Sequence, residues 1–425
     1  MNFHDFADRP LLAGVSRERL PTNTTANRHA VHRWFNFIAG FAPEFVQGCC
    51  DRIGRRDAHL LDPFAGCGTA LIGALQHGLN AVGYEPHPVF LRIARAKLPN
   101  PSWGRVNEIE RVILSGLSRP TSLVTLPEAP RAFLAKLFDR TAIESLLGAR
   151  DALVDQGLAE DDLAFLILSR TLDLSSRSQT DGIYKAPTSE KVARAPERSC
   201  RDIAELVRVD VGAWTPPPRN GRIFPHSSES MPELESGSID VIVTSPPYLN
   251  NFDFAEMTRM HLYFWGIANS WGEISRQVRS RLLVNTTTAL AGHKDKQVAY
   301  REQVPVSVRA RLDGLVSELR GKRAEKAGKK EYDFLVYPYF AQMTGVLREC
   351  FRVSRRNSET HIMVADAALY GIHISAPQLL AEIMESLGFE NVSCSIVRQR
   401  GHRWILDKRD GSPLGLGEYY IHARK

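Results

Sequence analysis

The sequence has few of the features that mark a metal-binding or a membrane-inserted protein. Its 425 residues include six cysteines, none in a C-x-x-C pair and none with a histidine at zinc-ligand spacing. We therefore expect no metal site and interpret the cysteines as buried thiols in a reducing cytoplasm. No apolar run approaches the ~18 residues of a membrane span, and MNFHDFADRP at the start lacks the apolar core of a signal peptide. These absences predict a cytoplasmic protein with no membrane partner.

Signatures of the common nucleotide sites are also missing or incomplete. The glycine-rich turn at residues 62–69 lacks G-x-x-x-x-G-K-[ST], so a nucleoside triphosphate is not expected there. The third glycine of the dinucleotide fingerprint is absent as well, with apolar residues near Ile72 at its place. The net charge of +6 permits a polyanionic partner without requiring one.

Residues 59–98 follow the pattern of a strand-helix-strand unit. We predict a strand over His59 to Leu61, a helix over Ala70 to His77 that ends at Gly78, and a strand over Ala81 to Tyr84. Two parallel strands joined by a helix require a right-handed crossover. The segment therefore predicts an α/β fold with a parallel sheet.

The turn DPFAGCGT, residues 62–69, lies where a ligand meets the strand ends. Gly66 and Gly68 allow close approach to the backbone, and Glu85 ends the next strand, where an acid typically binds ribose hydroxyls. Asp62 would repel a pyrophosphate but attract an amino group. S-adenosylmethionine, a nucleoside with a cationic amino-acid tail, fits both acids. Glycines that serve only tight packing are the alternative interpretation.

A second unusual feature is the end of the strand in IDVIVTSPPY, residues 239–248. Two prolines fix the backbone and expose their carbonyls, Ser245 offers a hydroxyl, and Tyr248 offers a flat face for stacking. Rigid acceptors beside an aromatic ring suit the exocyclic amine of a nucleobase, which must leave a duplex to reach such a pocket. An ordinary proline-rich turn is the alternative when the motif is taken alone.

Together, DPFAGCGT and TSPPY resemble the cofactor and catalytic motifs of the amino-methyltransferases, the site-specific DNA methyltransferases that act on exocyclic amines. HRWFNFIAGFAPEFV, residues 32–46, resembles the helix that contacts the methionine moiety in that family. Residues 339–389 resemble its later helix and strands. The resemblance covers about 30–98 and 221–425. It implies a Rossmann-like S-adenosylmethionine-dependent methyltransferase sheet with helical insertions.

The resemblance also implies roles for individual residues. The implied cofactor-binding residues are Asp62, Phe64, Gly66, Gly68, Thr69 and Glu85, with Glu85 on the ribose. The implied catalytic residues, which hold the target base, are Ser245, Pro246, Pro247 and Tyr248. In this family Ser at the first catalytic position favours cytosine N4 and Asp favours adenine N6. We therefore predict cytosine-N4 methylation, with adenine-N6 methylation as the alternative.

Two places depart from the family pattern. The family often has an Asp-Ser pair before the catalytic strand, which contacts the adenine amine, whereas this chain has His226-Ser227. The family also has a Gly-Gly turn where this chain has VSRRNSET, residues 353–360.

The chain divides into six predicted segments. They are a loosely ordered N-terminal arm (1–28), the cofactor-binding half (29–98), a mostly helical insertion (99–220), the catalytic part (221–266), a basic insertion (267–333) and the C-terminal part of the sheet (334–425). Residues 276–331 contain 14 basic and six acidic residues, so they are a candidate for contacts with DNA phosphates. A solvated charged helix is the alternative, and target readout could equally lie in the helical insertion.

The residues that follow the Ser245-Pro246-Pro247-Tyr248 motif, called the hook below, have two candidate locations. Phe252, Phe254 and Arg259 are expected in the wall of the base pocket or in the core. We assign His261, Tyr263 and Trp265 to the core.

These observations predict a double-stranded DNA partner. A cognate restriction endonuclease or other defence proteins are possible further partners. Two other functions stay open: an RNA base methyltransferase, which usually has Asn or Asp in place of Ser245, and a nucleic-acid-binding scaffold without turnover.

Overall fold

The structure, a computed structural model, describes Ser16 and residues 19–55, 57–98, 100–180, 185–213, 220–250, 252–325, 330–400 and 416–425. Side chains are not described over 179–190. Each of the six predicted segments has residues outside this set: 1–15 and 17–18 in the N-terminal arm, 56 in the cofactor-binding half, 99, 181–184 and 214–219 in the helical insertion, 251 in the catalytic part, 326–329 in the basic insertion, and 401–415 in the C-terminal part.

The predicted α/β fold is confirmed, and its strands are β1 His59–Asp62, β2 Asn80–Tyr84, β3 Ser178–Thr180, β4 Lys185–Glu190, β5 Gly221–Phe224, β6 Ile239–Thr244, β7 Ser354–Ala365, β8 Ala367–Leu369, β9 Ile372–Ile374, β10 Glu390–Gln399 and β11 Gly417–Arg424. Seven of them form one sheet in the order β10-β11-β7-β6-β1-β2-β5. From β7 to β5 all neighbouring pairs are parallel, and β10 and β11 form an antiparallel pair.

The order of the strands reverses direction beside β1. The chain moves from β1 outward to β2 and β5, then returns to the other side of β1 with β6 and β7. In such sheets a crevice opens at the carboxyl ends of the strands that flank the reversal. The glycine-rich turn follows β1 and the Ser-Pro-Pro-Tyr hook follows β6, so the topology brings the two motifs to this crevice.

The α-helices are α1 Pro43–Cys50, α2 Thr69–Gln76, α3 Pro88–Lys97, α4 Trp103–Leu117, α5 Glu128–Leu137, α6 Arg140–Asp155, α7 Asp162–Ser175, α8 Pro196–Ala213, α9 Phe254–Met257, α10 Arg259–Phe264, α11 Trp271–Glu273, α12 Gln297–Gln303, α13 Val306–Glu325, α14 Val336–Val353 and α15 Ala376–Ser386. None of the described helices is long and apolar enough to cross a membrane. Helices α4 to α8 and the antiparallel strands β3 and β4 lie within residues 103–213.

The core has layers on both sides of the sheet because successive strand residues point to opposite faces. Leu60, Val241 and Val243 pack with α1 and α2 on one face. On the other face, Leu61 and Ile242 pack with residues of α14 and α15. A third apolar cluster joins the helical segment 103–213 to α3 and α10.

Two expectations from the sequence are wrong near the N-terminus. Residues 19–28 are not a loose arm, because Leu20 is fully buried and the hydroxyl of Thr25 donates to Glu44 at 2.7 Å. Residues 32–46 are not one helix either: a 3₁₀ turn covers His32–Trp34, and α1 begins only at Pro43. Gly40 and Pro43 interrupt the helical pattern, and residues 37–41, in the irregular stretch between the 3₁₀ turn and α1, line the crevice.

Residues 353–360, VSRRNSET, lack the Gly-Gly turn of the family and make a comparable bend in another way. Asn357 adopts the left-handed conformation with φ of 65°, which Asn tolerates better than most residues other than Gly. The pairing of β6 with β7 shifts register between Ile239 and Val241, opposite this stretch. The bend that a glycine pair would make is therefore made here with an asparagine.

Candidate active site

A cavity of about 390 Å³ opens at the carboxyl ends of β1, β2 and β6. Nine of the ten predicted site residues line it: Asp62, Phe64, Gly66, Thr69, Glu85, Ser245, Pro246, Pro247 and Tyr248. Gly68 does not line the cavity but precedes α2 with φ of 86°. Two motifs separated by more than 170 residues thus share one site.

Asp62 ends β1 and is buried. Its carboxylate accepts hydrogen bonds from the Phe64 amide at 3.0 Å and from the Thr244 hydroxyl at 2.6 Å. Burial raises the pKa of Asp62 to about 7, although both hydrogen bonds act to lower it. No described basic side chain forms an ion pair with it. A buried carboxylate without a cation suits a cationic ligand.

Glu85 follows β2 and is also buried. It accepts from the amide of Gly66 at 2.9 Å and from the amide of His87 at 2.7 Å. Burial raises the pKa of Glu85 to about 8. The first bond ties Glu85 to the glycine-rich turn. Gly66 in that turn has φ of 51°, and a Cβ there would come within 2.9 Å of the Phe37 ring.

The hook after β6 is held by two side chains from distant parts of the chain. The hydroxyl of Tyr339, on α14, donates to the Pro247 carbonyl at 3.1 Å. The amide of Asn285 donates to the carbonyl of Tyr248 at 3.2 Å and to that of Phe252 at 3.0 Å. These bonds fix the backbone on the far side of Pro246.

Two polar groups of the hook that the sequence singled out, on Ser245 and Pro246, line the cavity. Among the described residues, the carbonyl of Pro246 accepts no hydrogen bond, and the Ser245 hydroxyl makes only a long bond of 3.5 Å to the Tyr248 hydroxyl. The half-buried ring of Tyr248 lines the same cavity. Two acceptors and one aromatic face are therefore available to a ligand.

Several cavity residues were not found from the sequence as individual sites. Phe37 packs edge-on against Phe90 at 4.9 Å, and its carbonyl accepts from Asn23, which also lines the cavity. His87 bonds Thr258 through Nε2 at 2.9 Å, and burial lowers its pKa to about 3, so the ring is neutral. An apolar stretch and a lone histidine give no local signal of such contacts.

The wall opposite the hook comes from the last strand pair. Arg398, Arg400 and Glu418 line the cavity, and the Arg398 guanidinium donates to Glu418 across the β10–β11 pair. The two arginines lie two residues apart at the end of β10, so both face the cavity while Gln399 is exposed. Neither arginine was singled out from the sequence, because the position of this strand in the sheet depends on its pairing with β11.

The two residues of the His226-Ser227 pair differ in their surroundings: His226 packs within the protein, and Ser227 lines the cavity. His226 bonds Glu233 at 2.8 Å and packs against the Tyr84 ring at 5.2 Å. Ser227 and Ser228 line the cavity, and the buried hydroxyl of Ser228 has no hydrogen-bond partner among the described residues. A ligand that reaches this end would meet a serine hydroxyl rather than a carboxylate.

The residues after the hook separate into wall and core. Phe252 and Phe254 line the cavity. Arg259 does not, because its guanidinium lies 3.9 Å from the centre of the Phe133 ring in the helical segment. Tyr263 packs against the same ring, and the Trp265 ring stacks on Phe165 at 4.6 Å. His261 is buried, 6.0 Å from the Phe35 ring centre.

Much of the basic insertion is neutralised within the protein. The ion pairs are Arg279–Asp253, Lys294–Glu331, Arg301–Asp313, Arg311–Glu382, Lys322–Glu325 and Arg323–Asp333. Arg276 and Arg281 are exposed and form no ion pair with a described residue. They precede Leu282 and Leu283 in the cavity wall, so among the exposed basic residues of this insertion these two lie closest in sequence to the cavity.

A group of metal-ligand type also forms away from the cavity. Glu359, His361 and His422 have ligand atoms within 4.8 Å of one another, because His361 and His422 are direct partners in the β7–β11 pair. The Glu359 carboxylate already accepts from Arg52 at 2.8 Å and from Arg424 at 2.8 Å. Two guanidinium groups oppose a cation there, and we assign no metal to it.

The turn after β1 and the hook after β6 converge on one cavity, and the mostly parallel sheet is consistent with a Rossmann-like methyltransferase fold. Over most of its length the chain is similar to proteins named Type II methyltransferases. It is 24% identical over 436 residues to the Type II methyltransferase M.AvaI of Nostoc sp., which covers 94% of this chain and 86% of the relative. It is 22% identical over 421 residues to the Type II methyltransferase M.BsoBI of Geobacillus stearothermophilus, covering 88% and 82%. No protein-family model matches the chain.

Proposed function

We propose that this protein is a site-specific DNA methyltransferase that transfers a methyl group from S-adenosylmethionine to the exocyclic N4 amine of a flipped-out cytosine. The observation that carries the proposal is that the Ser245–Tyr248 hook and the acids Asp62 and Glu85 line one cavity. The names of the relatives support methyl transfer. Type II methyltransferases act on double-stranded DNA, which we take as the substrate.

The residues of the cavity fit S-adenosylmethionine by their chemistry. Two buried carboxylates have raised pKa values, and a ligand that carries a positive charge would stabilise their ionised forms. We propose that Asp62, Phe64, Gly66 and Thr69 hold the cationic amino-acid end and the nucleoside, with Gly68 shaping the turn. Glu85 would hold the ribose, and Ser228 the adenine. When bound, the cofactor supplies an electrophilic methyl group.

The hook residues would prepare the amine of the base. Its nitrogen is a poor nucleophile because the lone pair is delocalised into the ring. Hydrogen bonds from its N–H groups to the Ser245 hydroxyl and the Pro246 carbonyl favour a tetrahedral nitrogen with a localised lone pair. Pro247 keeps the carbonyl in position, and Tyr248 stacks on the flipped base. These hydrogen bonds become strongest in the transition state, when positive charge develops on the amine nitrogen, and they therefore lower the barrier to methyl transfer.

The choice of base rests on Ser245. A neutral hydroxyl suits the cytosine amine, which is already polarised, whereas an acidic residue at this position suits adenine N6. Adenine-N6 methylation, RNA methylation and binding without turnover are the competing outcomes.

Nucleoside analysis tests the proposal directly. The protein is incubated with labelled S-adenosylmethionine and either genomic DNA or RNA, and the nucleic acid is then digested to nucleosides. We expect the label in N4-methylcytosine from DNA. Label in N6-methyladenine would overturn the choice of base, and label only in RNA would overturn the choice of DNA as substrate. No label, with cofactor binding intact, would indicate a nucleic-acid-binding protein without turnover.

Arg276 and Arg281 are expected to contribute more to DNA binding than the paired arginines of the basic insertion. Each phosphate contact that is removed lowers the slope of log K against log salt by about 0.9 for duplex DNA. The Arg276→Ala/Arg281→Ala variant should therefore bind DNA more weakly, with a slope lower by about 2. Affinities at several salt concentrations measure this.

The matched control is Arg311→Ala, because that side chain is held by Glu382. It should leave the salt slope near that of the wild type. Equal slopes in the double variant and the wild type would return this stretch to the solvated-surface interpretation.

We further propose that the protein belongs to a restriction-modification or defence system with a cognate endonuclease. The division of labour among the six segments stays a prediction.

A further inference from the structure

The cavity wall that faces Tyr248 carries a guanidinium group. The Cζ atom of Arg400 lies 6.0 Å from the centre of the Tyr248 ring, and both side chains line the cavity. A planar base between two plates needs about 7 Å, which is twice the ~3.5 Å contact distance of stacked heavy atoms. A gap of this size is thus close to that of a slot for one base and opens with a small rotation of a long side chain.

The backbone that carries this side chain is fixed. The amide of Arg400 donates to the Leu416 carbonyl at 2.7 Å, where β11 is about to begin. The neighbouring Arg398 is committed to Glu418, which is buried in the same wall. The Arg398–Glu418 pair locks the end of the β10–β11 ribbon, so Arg400 extends over the hook from a rigid support.

A guanidinium has the right shape for this position. It is planar, permanently charged and weakly hydrated, and it stacks on flat π systems, whereas an ammonium group has no plane. Unstacked bases in nucleic-acid complexes are commonly held between aromatic rings and guanidinium planes.

We infer that the guanidinium of Arg400 stacks on one face of the flipped base and holds it against the Tyr248 ring, which stacks on the other face. The inference rests on the proposed function, because it needs a base in this cavity. Arg400 contributes to capture of the base and leaves the cofactor site unchanged.

The test compares Arg400→Ala, Arg400→Lys and Arg400→Trp with the wild-type protein, using kcat/KM for genomic DNA and the Kd for S-adenosylmethionine. Base stacking on a side chain is of a size that predicts a loss of about tenfold to a hundredfold in kcat/KM for the alanine variant. Tryptophan restores a stacking plane and should recover most of that loss, whereas lysine should recover little. The Kd for the cofactor should stay within about twofold throughout.

Arg198, an exposed arginine of α8, provides the control, and Arg198→Ala should behave as the wild type. Full activity of Arg400→Lys would overturn the inference in favour of a phosphate contact, and wild-type kcat/KM in Arg400→Ala would overturn it outright. If Arg400→Ala does not fold, the comparison of kcat/KM between Arg400→Trp and Arg400→Lys still tests the inference. A higher value for Arg400→Trp supports stacking, and a higher value for Arg400→Lys overturns it. Failure of the wild-type protein to methylate DNA would instead overturn the proposed function.

Discussion

Replacing Ser245 by alanine is expected to lower kcat for methyl transfer about 10²–10³-fold, the effect of removing one preorganised hydrogen-bonding group from a transition state. The Ser245 hydroxyl lines the cavity and makes only a 3.5 Å bond to the described residues, so we expect its main partner in the reaction to be the base amine. The Kd for S-adenosylmethionine should change little, because Asp62 and Glu85 remain. Single-turnover rates and calorimetric titration measure the two quantities separately.

Variants of Tyr248 provide the comparison for that experiment. Tyr248→Ala removes the stacking face and should also abolish turnover, but through loss of base capture. Tyr248→Phe keeps the ring and loses only a hydroxyl, so it should retain most of the activity. Wild-type rates in both Ser245→Ala and Tyr248→Ala would refute the roles given to the hook, and a large loss of cofactor affinity would relocate them to the cofactor site.

The second large effect is expected from Asp62→Asn, which should weaken S-adenosylmethionine binding by roughly 2–5 kcal/mol, the usual cost of removing one member of a buried charge pair. The asparagine oxygen can still accept hydrogen bonds from Phe64 and Thr244. The loss of cofactor affinity therefore measures the effect of the negative charge alone. Asp240→Asn is the matched control, because Asp240 lies at the opposite end of β6 and pairs with Arg355. That control should leave cofactor affinity unchanged.

The same carboxylate predicts how binding depends on pH. Burial raises the pKa of Asp62 to about 7, so below pH 7 the group is neutral and a cation must displace a proton to bind it. Cofactor affinity should fall up to about tenfold per pH unit below pH 7 and level off above it. Equal affinities at pH 6 and pH 8 would contradict an ionised Asp62 in the complex.

Stability should change with the opposite sign. The folded-state pKa of Asp62 exceeds its ordinary value of 3.8, so the native state binds more protons than the unfolded state between about pH 4 and pH 7. The free energy of unfolding therefore falls as pH rises through that window. Without ligand, Asp62→Asn should raise the thermal midpoint at pH 8 and have little effect near pH 4. No gain at pH 8 would show that the buried charge is not a source of instability.

The local sequence determined the parts of this protein that depend on neighbouring residues. A helix period, a glycine with positive φ and strand alternation are local properties, which is why β1, α2 and β2 were predicted to within one residue. The glycine-rich turn and the Ser-Pro-Pro-Tyr hook were recognisable for the same reason. Nine of the ten predicted site residues line the cavity, although their roles await the experiments above.

The tertiary structure decided what depends on distant pairs. Strand order brought β6 beside β1, so that Thr244 reaches Asp62 across 182 positions of sequence. The register of β10 and β11 placed Arg398 and Arg400 opposite the hook. The acids Asp313 and Glu382 neutralised arginines that looked free in the sequence. Contacts of this kind follow from packing of whole elements, which leaves no mark on any short stretch of sequence.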